Sequence, residues 1–380
     1  MATVTWAHYS LIQGNKSETI KALILTIILS LIFTGFQGFE YFYAPFTFAD
    51  GVFGSVFYFG TGLIYGAPIK LNTKNIKYLT KFKLSSNSIK LKNYWVTGFS
   101  DAESTFSVRI LKDQSRLLGI RIIPVFSIEL HIRDIETLKK IKNFFNVGSI
   151  IVRIRKSKQT GIYSVQSLND LTQVIIPHFN KYPLLTQKQA DFILFSSVVN
   201  IMLNKEHLTE KGIYKILSIR ASMNKGLTNN LKINFPNIIG VKRPIINNQI
   251  IKSSLWLVGF VDGEGCFYLK ITKNKQINLV FSISQHSRDL NLFNVIKNYL
   301  DCGIIEKITT RPNTVNFVVY KFEDILKKIL PIFEEYSLIT KKYLDFIYFK
   351  EVSSLILNKE YLTEKGIYKI LLIKNLKNKN

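Results

Sequence analysis

Hydrophobic and polar positions change their spacing several times along the 380-residue chain, and each spacing predicts a different element. From Ala22 to Phe39, and again from Val52 to Ile69, no residue is charged. Each of these runs is close to the ~20 residues that a helix needs to cross a bilayer. After residue 92 the apolar residues either recur at helical spacing or alternate with polar ones, as in half-buried strands. The pattern therefore predicts two membrane-span-like helices followed by a mixed helical and stranded region.

The mixed region contains an internal duplication. NKEHLTEKGIYKIL at 204–217 recurs as NKEYLTEKGIYKIL at 358–371, and VFSIELHIRDIETLKKIKNFFNVGSI recurs as VFSISQHSRDLNLFNVIKNYLDCGII. Further upstream, WVTGFSDAESTFSV pairs with WLVGFVDGEGCFYL. One duplication of this length indicates two homologous domains, related by pseudo-twofold symmetry if they pack through like surfaces.

Both halves predict the same order of elements, α-β-β-α-β-β-α, so the fold class is α+β with antiparallel sheets. The last helix of each half is predicted over Ile175–Asn204 and Ile329–Asn358. We divide the chain into a hydrophobic segment, a basic linker, a first domain, an interdomain linker and a second domain, over residues 1–69, 70–92, 93–226, 227–253 and 254–380.

The two parts of the chain also differ in net charge. Lys and Arg total 51 against 26 Asp and Glu, a net charge of +25, and residues 1–69 contribute only two basic and three acidic side chains. A folded protein with such an excess favours a polyanionic partner. Cys266 and Cys302 are the only cysteines, which excludes a disulfide framework and a cysteine-based zinc site. Residues 70–92 hold seven lysines and no acid, as expected of a solvated linker or of an arm that contacts phosphates.

The most informative motif occurs once in each half. Gly98 and Ala102, like Gly259 and Gly263, are four residues apart, so each pair lies on one helix face and allows another backbone to approach closely. If these faces pack on each other, Glu103 and Glu264 meet at the domain seam. Capping or ion pairing of the helices is the alternative role for one such glutamate, but two copies at equivalent positions favour a shared site.

Two adjacent carboxylates repel each other unless a cation lies between them. Oxygen ligands without a Cys or His cluster, in a basic protein, indicate Mg²⁺ whose remaining ligands are phosphate oxygens. This arrangement is suited to metal-dependent cleavage of phosphodiesters.

On these residues, the chain from about Asn93 to its end resembles the single-chain LAGLIDADG homing endonucleases of fungal mitochondrial introns. The resemblance implies that Glu103 and Glu264 coordinate the divalent metal, that Asp101 and Asp262 are structural, and that both strands of double-stranded DNA are cut at a long, pseudo-symmetric site. Ser104 departs from the family pattern, in which a glycine ends the helix in a left-handed conformation. A serine in that conformation would cost about 1 kcal/mol.

Further site residues follow from the same comparison of the halves. Lys188 and Lys342 are repeat-equivalent lysines near helix starts and could stabilise charge, although isolated lysines are more often solvated. Gln285 lies at a strand end where the family often has a polar active-site residue, and its counterpart is Leu130. The strand residues opposite the apolar face are expected to bind DNA; these are Ser107, Arg109, Ser127, Arg153, Arg155, Tyr268, Lys270, Thr272, Ser282, Lys307 and Arg311.

The first 60 or so residues resemble a different family. The stretch TVTWAHYSLIQGNKSETIKALILTIILSLIFTGFQGFEYFYAPFTFADGVFGSVFYFGTG, residues 3–62, is similar to an internal part of cytochrome c oxidase subunit 3. The resemblance implies a mitochondrial exon fragment, membrane-like, fused in frame to a monomeric endonuclease that acts in the matrix after processing. An RNA-splicing maturase that binds its intron RNA, and a membrane protein of the oxidase, are the alternatives.

Overall fold

The computed structural model describes residues 6, 10, 15–43, 90–116, 118–155, 158–271 and 276–379. The chain divides into two compact units, Met1–Asn87 and Ser88–Asn380. In the first unit a 28-residue helix, α1, covers Lys16–Tyr43. In the described part of the chain, no helix combines the length and apolarity required to cross a membrane. The first of the two predicted membrane-span-like helices, residues 22–39, lies within α1, which does not meet this requirement. The second, residues 52–69, lies outside the described residues.

The second unit contains the two repeats, and their elements correspond one to one. In the first repeat these are α2 (Asn93–Glu103), β1 (Ser104–Lys112), β2 (Ile120–His131), α3 (Ile135–Phe145), β3 (Ser149–Arg155), β4 (Lys158–Val165), α4 (Leu168–Asp170, Leu171–Ile175 and Ile176–Lys181, the middle segment a π-helix), α5 (Lys188–Leu203) and α6 (Glu210–Ala221). A short helix, α7 (Asn229–Asn234), begins the connection to the second repeat.

The second repeat has α8 (Ser254–Glu264), β5 (Gly265–Ile271), β6 (Ile277–His286), α9 (Leu290–Leu300), β7 (Ile304–Lys307), β8 (Thr314–Val319), α10 (Phe322–Asp324, Ile325–Ile329 and Leu330–Glu335, again with a central π-helix), α11 (Lys342–Leu357) and α12 (Glu364–Lys379). Each repeat forms one antiparallel four-stranded sheet, in the orders β1-β2-β4-β3 and β5-β6-β8-β7. The predicted α+β class with two antiparallel sheets is confirmed.

Alternation along the strands places matching aromatic clusters beneath the two sheets. Phe106 and Phe267 are fully buried and occupy equivalent positions. Each is surrounded by four further phenylalanine rings at centroid distances of 5.1–5.5 Å. Burial of these large rings supplies much of the apolar area that stabilises each half.

The last predicted helix of each half is wrong in one respect. Residues 175–204 form not one helix but two, α4 and α5, and residues 329–358 are likewise divided between α10 and α11. In the intervening segments the backbone N–H groups of Leu185, Thr186, Ile339 and Thr340 donate to buried carboxylates instead of to helical carbonyls. Because Pro183 has no proline counterpart at Ser337, these tertiary hydrogen bonds are the cause common to both interruptions.

Candidate active site and nucleic-acid interface

Helices α2 and α8 contact each other through their backbones. A Cβ atom added to Gly98 would lie 1.9 Å from the carbonyl oxygen of Trp256, and one added to Gly259 would lie 2.1 Å from that of Trp95. One added to Gly263 would lie 2.2 Å from Cβ of Ala102. These positions have no room for a larger residue, which confirms the predicted packing of the two helices through their small-residue faces.

A pair of buried carboxylates joins the repeats just before the helices end. Asp101 accepts hydrogen bonds from the N–H groups of Leu185 and Thr186, from the hydroxyl of Thr186 and, across the seam, from Nε1 of Trp256 at 2.8 Å. Asp262 makes the equivalent four bonds, including one from Nε1 of Trp95 at 2.9 Å. Burial raises the pKa of both aspartates, while the donated hydrogen bonds act to lower it.

The two motif glutamates converge at the C-terminal ends of these helices. Oε1 of Glu103 lies 3.3 Å from the position that a Cβ atom would take on Gly263, the residue before Glu264. Burial, together with the negative charge of Glu103, raises the pKa of Glu264 to about 7. Nε2 of Gln285 donates to Oε1 of Glu264 at 3.3 Å, whereas the equivalent position in the first repeat holds the apolar Leu130. The two halves of the site are therefore chemically unequal.

A lysine ammonium lies beneath the end of each motif helix. Nζ of Lys188, the first residue of α5, donates to the carbonyl oxygens of Ser100 and Ala102 at 3.0 and 3.1 Å. Nζ of Lys342, the first residue of α11, donates to the carbonyls of Val261 and Gly263. Burial lowers the pKa of Lys188 to about 8 and also lowers that of Lys342, while the nearby aspartate and glutamates act to raise both. Two partly buried lysine side chains thus adjoin the two carboxylates.

The donor set fits a divalent cation shared with an anionic substrate. Within the described residues, no group of three or more His, Cys, Asp or Glu side chains could hold a metal by itself. Glu103 and Glu264 together supply hard carboxylate oxygens, so a cation between them would complete its coordination with phosphate oxygens and water. Such a cation would also relieve the repulsion that raises the pKa of Glu264.

A cavity of about 540 Å³ gives access to one side of this site. Its lining comes from both repeats and includes Glu103, Gly263, Lys342, His131 and Arg133.

Most of the predicted DNA-binding residues lie on the face of each sheet opposite the core, and their exposure differs. Opposite the buried Phe106 and Val108, Arg109 is exposed and Ser107 is partly exposed; in the second repeat Lys270 is exposed and Tyr268 partly so. Arg153 is exposed on β3, Arg311 is exposed in the turn before β8, and Ser127 is partly exposed. Lys307 is exposed at the end of β7, but it pairs with the buried Val315 and therefore lies on the core side of its sheet, which the prediction did not anticipate.

Three of the predicted DNA-binding residues are either buried or lie, at least in their side chains, outside the described residues. Ser282 is 7% exposed, so the sheet leaves little of it available to a partner. Arg155 ends β3, but its side chain lies outside the described residues, and so does Thr272.

The predicted strain at Ser104 is wrong. Ser104 has φ −83° and Gly265 has φ −75°, so both residues that follow the motif helices are extended and neither requires glycine for a left-handed conformation. The hydroxyl of Ser104 donates to the backbone carbonyl of Ser100 at 2.6 Å, and the small side chain of Ser100 occupies the position that Val261 has in the second repeat. At Gly265 an added Cβ would lie 2.4 Å from Cγ1 of Val261, which occupies the equivalent position. Local packing therefore explains the glycine.

Two sets of contacts were not predicted. Trp95 and Trp256 each donate a hydrogen bond to the motif aspartate of the opposite repeat. The sequence could have indicated this role, because both tryptophans stand three residues before the first motif glycine. Arg243 of the interdomain linker binds both carboxylate oxygens of Asp191 at 2.7 and 2.8 Å. Nothing in the sequence around Arg243 indicates that contact, because its partner is 52 residues away.

Comparison with known proteins agrees with this architecture. The family model described as LAGLIDADG endonuclease matches residues 96–199 and 257–353, and that of cytochrome c oxidase subunit III matches residues 1–102. A "Probable intron-encoded endonuclease 2" of Neurospora crassa is 40% identical over 291 residues, covering 74% of this chain. The chain spans 64% of the length of that relative. Cytochrome c oxidase subunit 3 of Squalus acanthias is 58% identical over 60 residues, which are 16% of this chain and 23% of that protein.

A solved structure matches most of the chain. The structure of I-SmaMI bound to an uncleaved DNA target in the presence of calcium ions superposes with a TM-score of 0.72. The two sequences are 38% identical, and the match covers 75% of this chain and 98% of the I-SmaMI chain. The chain therefore belongs to the LAGLIDADG endonuclease family and carries a region similar to cytochrome c oxidase subunit 3 at its N-terminus. Both resemblances drawn from the sequence are confirmed.

Proposed function

We propose that residues 93–380 form a site-specific endonuclease that cuts both strands of a long, pseudo-symmetric site in double-stranded DNA, using Mg²⁺. The observation that carries this proposal is the convergence of Glu103 and Glu264 between two equivalent sheets with exposed basic residues. The DNA-bound structure of I-SmaMI supports DNA as the partner. A tenfold or greater loss of affinity between low and physiological salt is expected, because many phosphates are neutralised.

Each residue of the site has a proposed role. Glu103 and Glu264 would hold the divalent metal, which would supply an activated water and stabilise the departing oxygen. Lys188 and Lys342 would stabilise negative charge that develops at the scissile phosphates, and Gln285 would orient Glu264. Arg109, Lys270, Arg153 and the other predicted residues on the same faces would contact bases and phosphates, since Arg and Lys can read guanine edges in the major groove.

Cleavage of a defined duplex tests the proposal. The full chain is incubated with Mg²⁺ and a plasmid carrying the intronless junction of the oxidase subunit 3 gene, and the ends are mapped on each strand. We expect one double-strand cut that is lost with Glu103→Gln and Glu264→Gln. Glu136→Gln is the matched control, because Glu136 is 68% exposed in a surface pair with Lys139. Absence of a metal-dependent cut by the wild-type chain would refute the proposal.

The same variants distinguish the RNA-splicing alternative. A maturase that binds its intron RNA would still support splicing when both glutamates are replaced by glutamine, whereas an endonuclease would lose its activity. The DNA-bound relative favours the endonuclease.

The proposed location is the mitochondrion. The N-terminal region similar to oxidase subunit 3 supports a mitochondrial origin. We propose that residues 1–69 are removed together with part of the basic linker 70–92, that the endonuclease acts in the matrix as a monomer, and that only a retained N-terminus would bring it to the inner membrane. Mass spectrometry of the protein purified from mitochondria would identify the mature N-terminus.

A further inference from the structure

Two histidines at equivalent positions end the second strand of each sheet. His131 ends β2 and His286 ends β6. In each, Nδ1 accepts a hydrogen bond from the backbone N–H two residues later, that of Arg133 or Arg288, at 3.2 Å. A ring nitrogen that accepts an N–H carries no proton, so in the neutral imidazole the proton is on Nε2. The fold thus fixes the same tautomer in both repeats and leaves Nε2 as a hydrogen-bond donor.

Both histidines lie on the proposed DNA-binding face. In β2 the residues Phe126, Ile128 and Leu130 face the core, so Ser127 and His131 lie on the opposite face, and His131 is exposed. In β6 the alternation places His286 on the face of Ser282, while Gln285 is on the core side and reaches Glu264.

The two histidines also lie at the catalytic end of their sheets. Ser104, directly after Glu103, pairs with Ile128, and Gly265, directly after Glu264, pairs with Ile283. His131 is three residues after Ile128 and His286 is three residues after Ile283, so each histidine is close along its strand to a proposed metal-binding glutamate. His131 and Glu103 line the same cavity.

We propose that Nε2–H of His131 and of His286 each donates a hydrogen bond to a DNA phosphate beside the scissile position, one on each strand. This assignment rests on the proposed endonuclease function. A neutral N–H donor suits a phosphate oxygen at a place where a carboxylate and its metal are close, because it positions the backbone without adding a charge that would compete with the metal. The fixed tautomer means that the donor needs no rearrangement when DNA binds.

Replacing each histidine by either amide separates the structural role from DNA contact. Asn places an oxygen close to the position of Nδ1 and so retains the acceptor for the backbone N–H, but it lacks the donor at Nε2. Gln places an amide N–H₂ near Nε2 but lacks the acceptor at Nδ1. We expect His131→Asn with His286→Asn to weaken binding of the joined-exon duplex in Ca²⁺ about tenfold with unchanged thermal unfolding, and the Gln pair to bind within about threefold of wild type.

Single-turnover cleavage of duplexes labelled on one strand at a time gives a second readout. His131→Asn and His286→Asn should each slow the cutting of a different strand. Replacing the contacted phosphate by a neutral methylphosphonate should weaken DNA binding by the wild-type chain about tenfold. The same replacement should hardly change DNA binding by the Asn pair.

The opposite result is equally defined. If the Asn pair binds and cuts like the wild type, the histidines only cap the following turns and the inference is refuted. If the Gln pair loses as much binding as the Asn pair, a donor at the position of Nε2 is not what holds the phosphate, and the inference is refuted as well. Should the wild-type chain neither bind nor cut the duplex, the proposed function itself fails.

Discussion

Replacing Asp262 by asparagine tests how the repeats are held together. Oδ2 of Asp262 accepts hydrogen bonds from the backbone N–H of Ile339 and from Nε1 of Trp95, both at 2.9 Å. Oδ1 accepts hydrogen bonds from the backbone N–H of Thr340 at 3.1 Å and from its hydroxyl at 2.7 Å. An asparagine retains one acceptor oxygen. Its best orientation places the amide nitrogen at Oδ1, where the hydroxyl of Thr340 can turn to accept but the N–H of Thr340 is left buried and unpaired.

The magnitude follows from these contacts. One buried unpaired N–H costs about 1–3 kcal/mol, and each remaining bond, to Ile339 and Trp95, weakens by about 1 kcal/mol because its acceptor is no longer charged. Relief from burying the carboxylate charge offsets part of this cost. We expect a loss of about 2–4 kcal/mol in the free energy of unfolding, which corresponds to roughly 3–6 °C in Tm for a unit of this size.

Urea unfolding of Asp262→Asn, Trp95→Phe and the double variant measures this coupling across the seam. Because Trp95→Phe removes the donor to Asp262, it should cost about 1 kcal/mol less in the asparagine background than in the wild type. Full additivity of the two substitutions, or a change below about 0.5 kcal/mol for Asp262→Asn, would refute the inference that this carboxylate joins the repeats.

Three further outcomes follow from the seam. Gly259→Ala should destabilise the protein by about 3 kcal/mol or more in urea unfolding, because its Cβ would lie 2.1 Å from the carbonyl of Trp95 and two backbones must separate; a near-neutral result would contradict the packing. Ser104→Gly should cost under ~1 kcal/mol and Gly265→Ser clearly more, since only Gly265 faces Val261; equal Tm values would be inconsistent with that difference. Lys188 has a pKa of about 8 when folded and roughly 10.4 when unfolded, so the folded state binds fewer protons between these values and the free energy of unfolding rises with pH there. Lys188→Met should reduce that slope in urea titrations from pH 8 to 10, and an unchanged slope would argue against the lowered pKa of Lys188.

The contacts between the motif helices were predictable because they depend on short-range spacing. Gly98 and Ala102 lie on one helical face whatever surrounds the helix, and the repeat supplies the matching face at Gly259 and Gly263. The repeat likewise shows that Lys188 and Lys342 are equivalent to each other.

Other features depend on partners far away in sequence. The interruption between α4 and α5 results from N–H groups that donate to Asp101, which is 84 residues from Leu185. The conformation of Ser104 was mispredicted because the need for glycine at the equivalent Gly265 comes from the volume of Val261 and not from a left-handed backbone.

The sequence alone determined the duplication, the α+β class, the two motif acids and the family, because these depend on periodicity and on residues that recur at fixed spacing. Only the tertiary structure decided that each aspartate is bound by the tryptophan of the opposite repeat, that burial beside Glu103 raises the pKa of Glu264, and that the tautomers of His131 and His286 are fixed. Hydrogen bonding and desolvation depend on which groups meet in space, and sequence spacing does not specify those meetings beyond a single element.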